Sequence, residues 1–152
     1  MRGGGGLKKA EKLTAPARKM LCDAFDIAAE LGAPFVDGSH LLLAVAADEG
    51  IPAAKLLAEY GFTEQSLSEP ITAYAANGTS GQTPVLGFSE SGRRIIARAA
   101  LEAAKSGRAS VAAEHILAGV LGERGCSAAG LLKSCGTDPS ELAEELFGGA
   151  RG

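Results

Sequence analysis

Residues 36–45 read Val36-Asp37-Gly38-Ser39-His40-Leu41-Leu42-Leu43-Ala44-Val45, and 75 positions later the chain reads Val111-Ala112-Ala113-Glu114-His115-Ile116-Leu117-Ala118-Gly119-Val120. Each stretch opens on a valine, sets a histidine at the same place and runs on into apolar residues. Extended outward, residues 13–61 lie over residues 88–136 without a gap. Fifteen of these 49 pairs are identical, among them Gly32/Gly107, His40/His115, Gly50/Gly125 and Gly61/Gly136. Ala-rich helices can match by chance, but glycines matched at three turns together with a matched histidine argue against that. An internal period of this kind marks one supersecondary unit used twice.

The signals within each copy are helical. Thr14 offers a hydroxyl N-cap and Pro16 suits the first turn. Apolar residues then recur at 17, 20, 21, 24, 25, 28 and 31, the period of a helix, and Gly32 ends it. A short second helix carries Leu41, Leu42 and Val45 and closes at Gly50. Pro52 opens a third, with Leu56, Leu57 and Tyr60, which stops at Gly61, and Thr63 caps a fourth. In the second copy Ser89 caps a helix bearing Ile95, Ile96, Ala99 and Ala103, and helices near 113–121 and 126–135 follow. The last begins at Asp138, with Pro139 in first position and Glu141 three residues after the cap. Pro70 falls inside the predicted fourth helix and is expected to kink it or end its first turn early. Glu145 stands there in the second copy, so the two fourth helices are expected to differ. No alternating strand pattern of useful length occurs. The fold class is therefore all-α, with two tandem four-helix repeats: a flexible basic, Gly-rich lead over 1–12, repeat 1 over 13–76, a linker over 77–87, repeat 2 over 88–147 and a flexible tail over 148–152.

The totals agree with a single domain that buries a core: 152 residues, 46% apolar and 22% charged. Aromatics make up 5% and tryptophan is absent, which suits close-packed Ala-rich helices better than sheets. A net charge of −3 does not mark the whole chain as a nucleic-acid binder. Basic residues do crowd the start, at Arg2, Lys8, Lys9, Lys12, Arg18 and Lys19, and read as a solvated terminus. No apolar run is long enough for a membrane span, and the start lacks the apolar stretch of a signal peptide. The cysteines Cys22, Cys126 and Cys135 form no Cys-x-x-Cys pair and leave one over, which favours reduced thiols in a cytoplasm, buried as small core residues. Without a secretory signal, Asn77-Gly78-Thr79 is a linker turn rather than a glycosylation site.

The repeat carries strings that resemble a known family. Val111 to Val120, with its Glu114-His115-Ile116-Leu117, is similar to the Gly-Thr-Glu-His-Ile/Leu-Leu-Leu-Gly-Leu stretch of the amino-terminal (Clp N) domain of ClpA/ClpC-type AAA+ unfoldases. The openings Leu13-Thr14-Ala15-Pro16-Ala17-Arg18-Lys19 and Phe88-Ser89-Glu90-Ser91-Gly92-Arg93-Arg94 resemble its Phe-Thr-x-x-Ala-Arg/Lys start. Gly50-Ile51-Pro52-Ala53-Ala54-Lys55-Leu56-Leu57 resembles its Gly-Val-Ala-Ala-x-x-Leu segment. The match runs from about Leu13 to Phe147. It implies a pseudo-twofold globule of eight helices that receives substrates and adaptor proteins ahead of ATPase modules, with no enzyme activity of its own. In ClpC-type members it also implies a phosphoarginine pocket in each repeat, built from the Thr that opens the first helix and the Glu before the His. A helix N-terminus with a hydroxyl cap offers donors to a phosphate, and a carboxylate can take the guanidinium in a bidentate pair. Carried onto this chain, repeat 2 supplies Ser89 and Glu114. Repeat 1 supplies Thr14 but has Ser39 in place of the Glu, a degenerate pocket. At most one working pocket is expected.

Other chemistry finds less support. His40 and His115, at equivalent places, read as buried or capping residues that fix a helix start; two histidines without Cys or carboxylate help build no metal site. Repeat symmetry accounts for Ser39 and His40 without a nucleophile–base–orienter set. No GxxxxGK[ST] loop is present, so this chain holds no ATPase of that kind. No cofactor and no metal are expected, and the chain is read as a monomer. The leading reading is a substrate- or adaptor-binding domain of the Clp protease system, partnered with a Clp-type ATPase and its adaptor or substrate proteins. Three alternatives stand beside it. One is a stand-alone Clp N protein that competes with an unfoldase N domain for adaptors or inhibitors. The second is a nucleic-acid-associated helical protein that uses the basic N-terminus. The third is an enzyme that uses His115 and Glu114. Met1 at the start and Gly148-Gly149-Ala150-Arg151-Gly152 at the end suit a complete small protein and a cut domain equally.

Overall fold

In a computed structural model the described residues are 12–76, 85–123 and 127–151. The first repeat holds helices α1 (Ala15–Glu30), α2 (Gly38–Ala47), α3 (Pro52–Glu59) and α4 (Glu64–Ala76). The second holds α5 (Glu90–Lys105), α6 (Ala113–Gly122), α7 (Ser127–Ser134) and α8 (Pro139–Arg151). Every helix of the second copy starts and ends 75 residues after its counterpart. The same local signals therefore produce the same local structure twice.

The caps explain the boundaries. The Thr14 hydroxyl accepts the Ala17 N–H at 3.3 Å, and the Ser89 hydroxyl accepts the Gly92 N–H at 2.9 Å. At the other ends, Gly32, Gly61, Gly107 and Gly136 take positive φ, where a side chain would be strained.

The core forms around α2 and α6. Residues Gly38 to Ala46 of α2 are all buried, and α6 buries Ala113, His115, Ile116, Leu117, Gly119, Val120 and Leu121. Helices apolar nearly all round have to be wrapped by others, and these two pack against each other and each against the first helix of its own repeat. The outer helices turn matching stripes inward: Ala17, Met20, Ala24 and Ala28 on α1, and Gly92, Ile95, Ala99 and Ala103 on α5. These stripes are mostly small, so backbones come close. A Cβ added to Gly119 would lie 2.5 Å from the Ile95 carbonyl oxygen, and one added to Gly92 would lie 2.6 Å from the Val36 carbonyl oxygen.

The repeats are joined by a reciprocal crossing. Strand β1 (Phe35–Val36) pairs in parallel with β2 (Gly87–Phe88), and Val36 lies opposite Phe88. Leu13 forms the matching bridge with Val111. Leu13 is the counterpart of Phe88 and Val36 of Val111, so the second bridge is the first with the repeats exchanged. A pairing that returns itself on exchange is the signature of a twofold relation. Its hydrogen bonds match too: Thr14 N–H donates to the Val111 carbonyl at 3.0 Å, and Ser89 N–H to the Val36 carbonyl at 2.9 Å. The strands are two residues long, below the length at which alternation can be read in a sequence.

Several expectations are corrected. Helix α4 runs on through Pro70 to Ala76, and α4 and α8 have the same length of 13 residues. Leu67 and Ile71, on either side of the proline, are both buried, and their packing holds the helix together there. The tail expected from 148 is helical as far as Arg151, in a helix anchored by buried Leu142. Of the expected linker, 77–84 lies outside the described residues, and Gly87 belongs to the crossing. The lead up to residue 11 also lies outside them. Cys22 and Cys135 are exposed rather than core residues. Cys22 falls between the inward positions Met20 and Ala24, and Cys135 lies in the turn after α7; Cys126 is outside the described residues.

The close approach of α6 to α5 is directly testable. Gly119→Ala pushes a methyl group into a backbone carbonyl that cannot swing away, and should destabilise the fold by about 1–3 kcal/mol in denaturant unfolding. Gly130, on α7, has no atom within 4 Å of an added Cβ, so Gly130→Ala should be neutral or stabilise by up to about 1 kcal/mol. Equal effects at the two positions would refute the account of the α5–α6 contact.

Candidate functional site

Each crossing brings the N-terminus of one repeat's first helix against the segment that opens the other repeat's second helix. At one crossing stands Ser89. Its hydroxyl accepts from Gly92 N–H and donates to the Asp37 carboxylate at 2.8 Å. Asp37 occupies the N-cap of α2, and Ser39, two residues on, is buried. Phe25 of α1 meets Phe88 edge-on here, with ring centroids 5.3 Å apart.

At the other crossing stands Thr14, tied through its N–H to Val111. Asp37 is replaced there by Ala112, and Ser39 by Glu114, which sits half-buried in the first turn of α6. The N-terminus of α1 thus meets no carboxylate at the N-cap of the facing helix, and it has a glutamate in that helix's first turn.

The fold therefore regroups the residues picked out in the sequence. Pairing within a repeat, Ser89 with Glu114 and Thr14 with Ser39, is not what it makes. The buried Glu123 carboxylate, just past the C-terminal end of α6, receives Arg94 Nε at 2.9 Å and Arg98 Nε at 3.4 Å from the first half of α5. The C-terminal end of α6 is therefore tied to the first half of α5, and the first turn of α6 lies about 15 Å, the helix's own length, from that end. The crossings instead bond Thr14 to Val111, three residues before Glu114, and Ser89 to Val36 and Asp37, just before Ser39. Only the pairing of repeats in space carries this information; the one signal in the sequence was that Asp37 and Ser39 change together to Ala112 and Glu114.

The chemistry of the two crossings differs accordingly. At Ser89 the hydroxyl proton is committed to Asp37, and an incoming anion would face that carboxylate. At Thr14 the helix N-terminus favours an anion through its N–H groups and dipole, and Glu114 can accept a guanidinium.

The histidines have a structural role, as expected. His40 Nδ1 accepts the Asp37 N–H at 2.9 Å, and His115 Nδ1 accepts the Ala112 N–H at the same distance. Each imidazole closes back on the residue before its own helix. Burial lowers the pKa of His40 against the opposing pull of Asp37. Burial also lowers that of His115, opposed chiefly by Glu114, while Arg108 lowers it further. Among the described residues no group of three or more His, Cys, Asp or Glu could hold a metal ion, and no helix is long and apolar enough to cross a membrane.

Comparisons with known proteins agree on one family. The family model described as the Clp repeat (R) N-terminal domain matches residues 12–135 and 87–148. An ATP-dependent Clp protease ATP-binding subunit ClpA homolog of chloroplasts from Brassica napus is 27% identical over 148 residues, which is 96% of this chain and 17% of that protein. Chaperone protein ClpC2 of chloroplasts from Oryza sativa subsp. japonica is 27% identical over 137 residues, 90% of this chain and 15% of its own length. The chain thus spans about a sixth of the length of these relatives. The crystal structure of the N-terminal domain of the caseinolytic protease associated chaperone ClpD from Arabidopsis thaliana superposes with a TM-score of 0.77 at 22% identity, covering 94% of this chain and 97% of that one. A ClpV N-domain in complex with VipB peptide gives a TM-score of 0.69 at 19% identity, covering 95% and 90%. At these identities the likeness of structure shows the fold.

The histidine caps set a pH dependence. Between the lowered folded values and the ordinary value of about 6.5 the unfolded chain holds more protons, so stability is complete above about pH 6.5 and falls on acidification below it. Protonation at Nδ1 also removes the acceptor that caps the helix. Denaturant unfolding from pH 7.5 to 5.5 should show this loss, and His40→Asn with His115→Asn, which keeps an acceptor but cannot titrate, should flatten it. The same slope in both proteins would exclude the histidines as its source.

Proposed function

Because the chain belongs to the Clp repeat N-terminal domain family, we propose that it is a non-catalytic docking domain that binds substrate or adaptor proteins for a Clp-type ATPase. The ClpV N-domain, of the same fold, has been solved with a VipB peptide bound, which supports peptide docking as the use of this scaffold. The finer reading is that it recognises phosphoarginine, at one pocket, formed by Thr14 and the first turn of α1 together with Glu114 of the opposite repeat. The observation that carries this reading is the asymmetry of the crossings. Ser89 is already bonded to Asp37, whereas Thr14 faces Ala112 and has Glu114 in the adjoining first turn. In this reading the phosphate takes the N–H groups of α1 and the Thr14 hydroxyl, and the guanidinium takes Glu114. A cytoplasmic setting, inferred from the cysteine count, is part of the same proposal.

Calorimetric titration with free phosphoarginine tests it. The expected result is one site, weakened about 10- to 100-fold in Glu114→Ala, the loss of a charge-assisted pair, and untouched in Ser89→Ala. Two equal sites, or loss of binding in Ser89→Ala but not in Glu114→Ala, would overturn this assignment. No binding at all would remove phosphoarginine and leave the docking reading to be tested with adaptor proteins.

A further inference from the structure

The two repeats differ sharply at the turn between their third and fourth helices. In the first, Tyr60-Gly61-Phe62 follows α3; in the second, Cys135-Gly136-Thr137 follows α7. The backbones agree. Gly61 and Gly136 have φ of 89° and 83°, and the N–H groups of Phe62 and Thr137 donate to the carbonyls of Leu57 and Leu132 at 2.8 and 3.0 Å. This turn folds its last side chain back over the helix it ends. In repeat 1 that side chain is Phe62, 4% exposed and part of the core. In repeat 2 it is the short, half-buried Thr137, and a cavity of about 490 Å³ opens there, with Leu121, Ala129, Gly136, Thr137 and Pro139 in its lining and the polar Lys133, Asp138 and Ser140 exposed around them. Leu121 is larger than its counterpart Ala46, and the cavity persists despite it.

We infer that this cavity is a docking site for an aromatic side chain, phenylalanine in the first instance, presented by a peptide segment of a partner protein. The first repeat identifies the occupant: the same backbone frame, with the same glycine turn, closes around its own phenylalanine. The volume lies within the range of small-ligand pockets. Leu121 and Ala129 supply an apolar floor, while Lys133 and Ser140 at the rim are exposed and can meet the peptide's polar backbone. The site is built from the end of α6, α7 and the start of α8, at the opposite end of α6 from Glu114. It is therefore separate from the phosphoarginine pocket and does not depend on it.

The test is an NMR titration of the ¹⁵N-labelled protein with the blocked peptide Ac-Gly-Ser-Phe-Ser-Gly-amide and with its Phe→Ala analogue. Saturable shifts are expected at the amides of Leu121, Ala129, Lys133, Gly136 and Ser140, with a Kd of about 1 mM for so small a ligand. The alanine peptide should bind at least about tenfold more weakly, since the buried ring supplies the contact. Thr137→Phe restores the side chain of repeat 1; it should keep a dispersed spectrum, melt no lower than the parent chain and lose the shifts. Equal binding of the two peptides, shifts elsewhere, or shifts that survive in a folded Thr137→Phe would overturn the proposal. So would an absence of shifts at peptide concentrations well above the millimolar range. A failure here with phosphoarginine still bound at Glu114 would leave the other pocket standing.

Discussion

The structure depends on two short backbone crossings, Val36 with Phe88 and Leu13 with Val111. Each is only a few hydrogen bonds, and such bonds contribute about 1 kcal/mol apiece. Their importance is geometric. They fix which helix N-terminus meets which helix start, and so set the start of each repeat's first helix against the other repeat. They require backbones at close range, which is why small residues, Ala17 and Gly92, stand in the first turns of α1 and α5.

Duplication supplies a comparison inside one chain. Positions that hold the frame stay alike: the caps Thr14 and Ser89, the histidines, the turn glycines and the central leucines. Positions that change lie at its openings. Asp37 and Ser39 become Ala112 and Glu114 at one crossing, and Phe62 becomes Thr137 at the far end of the repeat. A frame with a twofold axis would by itself give two equal sites. These substitutions remove one carboxylate from a helix N-terminus, add another beside it, and empty a space that the other repeat fills.

Much of the frame was legible in the sequence because helix signals are local. The hydroxyl caps, Pro52, Pro139 and the glycines at 32, 61, 107 and 136 gave the eight helices of the described residues and nearly all their ends. The capping role of the histidines was legible because it needs only their position at the helix start. The pairing across the axis was not legible: the family resemblance put Thr14 with Ser39 of its own repeat, whereas the fold bonds Thr14 to Val111, just ahead of the helix that carries Glu114. The cysteines, and an early helix end at Pro70, were misjudged for a related reason. Composition and propensity describe a residue type, while the face it occupies on a packed helix decides its burial, and Leu67 and Ile71 outweigh the proline between them.

The buried Glu123 shows how the second repeat maintains the close contact of α5 and α6. Its counterpart in repeat 1 is the shorter Asp48, while Lys19 there bonds Asp23 on its own helix at 2.7 Å. In repeat 2 the position of Asp23 is taken by Arg98, and both Arg94 and Arg98 reach Glu123. A buried carboxylate is costly unless its oxygens are paired, and here each oxygen has an arginine of its own. The two guanidiniums are about half exposed, at 49% and 51%, so their own desolvation is modest. The pair contributes less as raw stability than as a constraint: it ties the end of α6 to α5 where Gly119 lets the backbones touch. The other end of α6, where Glu114 stands in the first turn, follows directly on the Leu13–Val111 crossing.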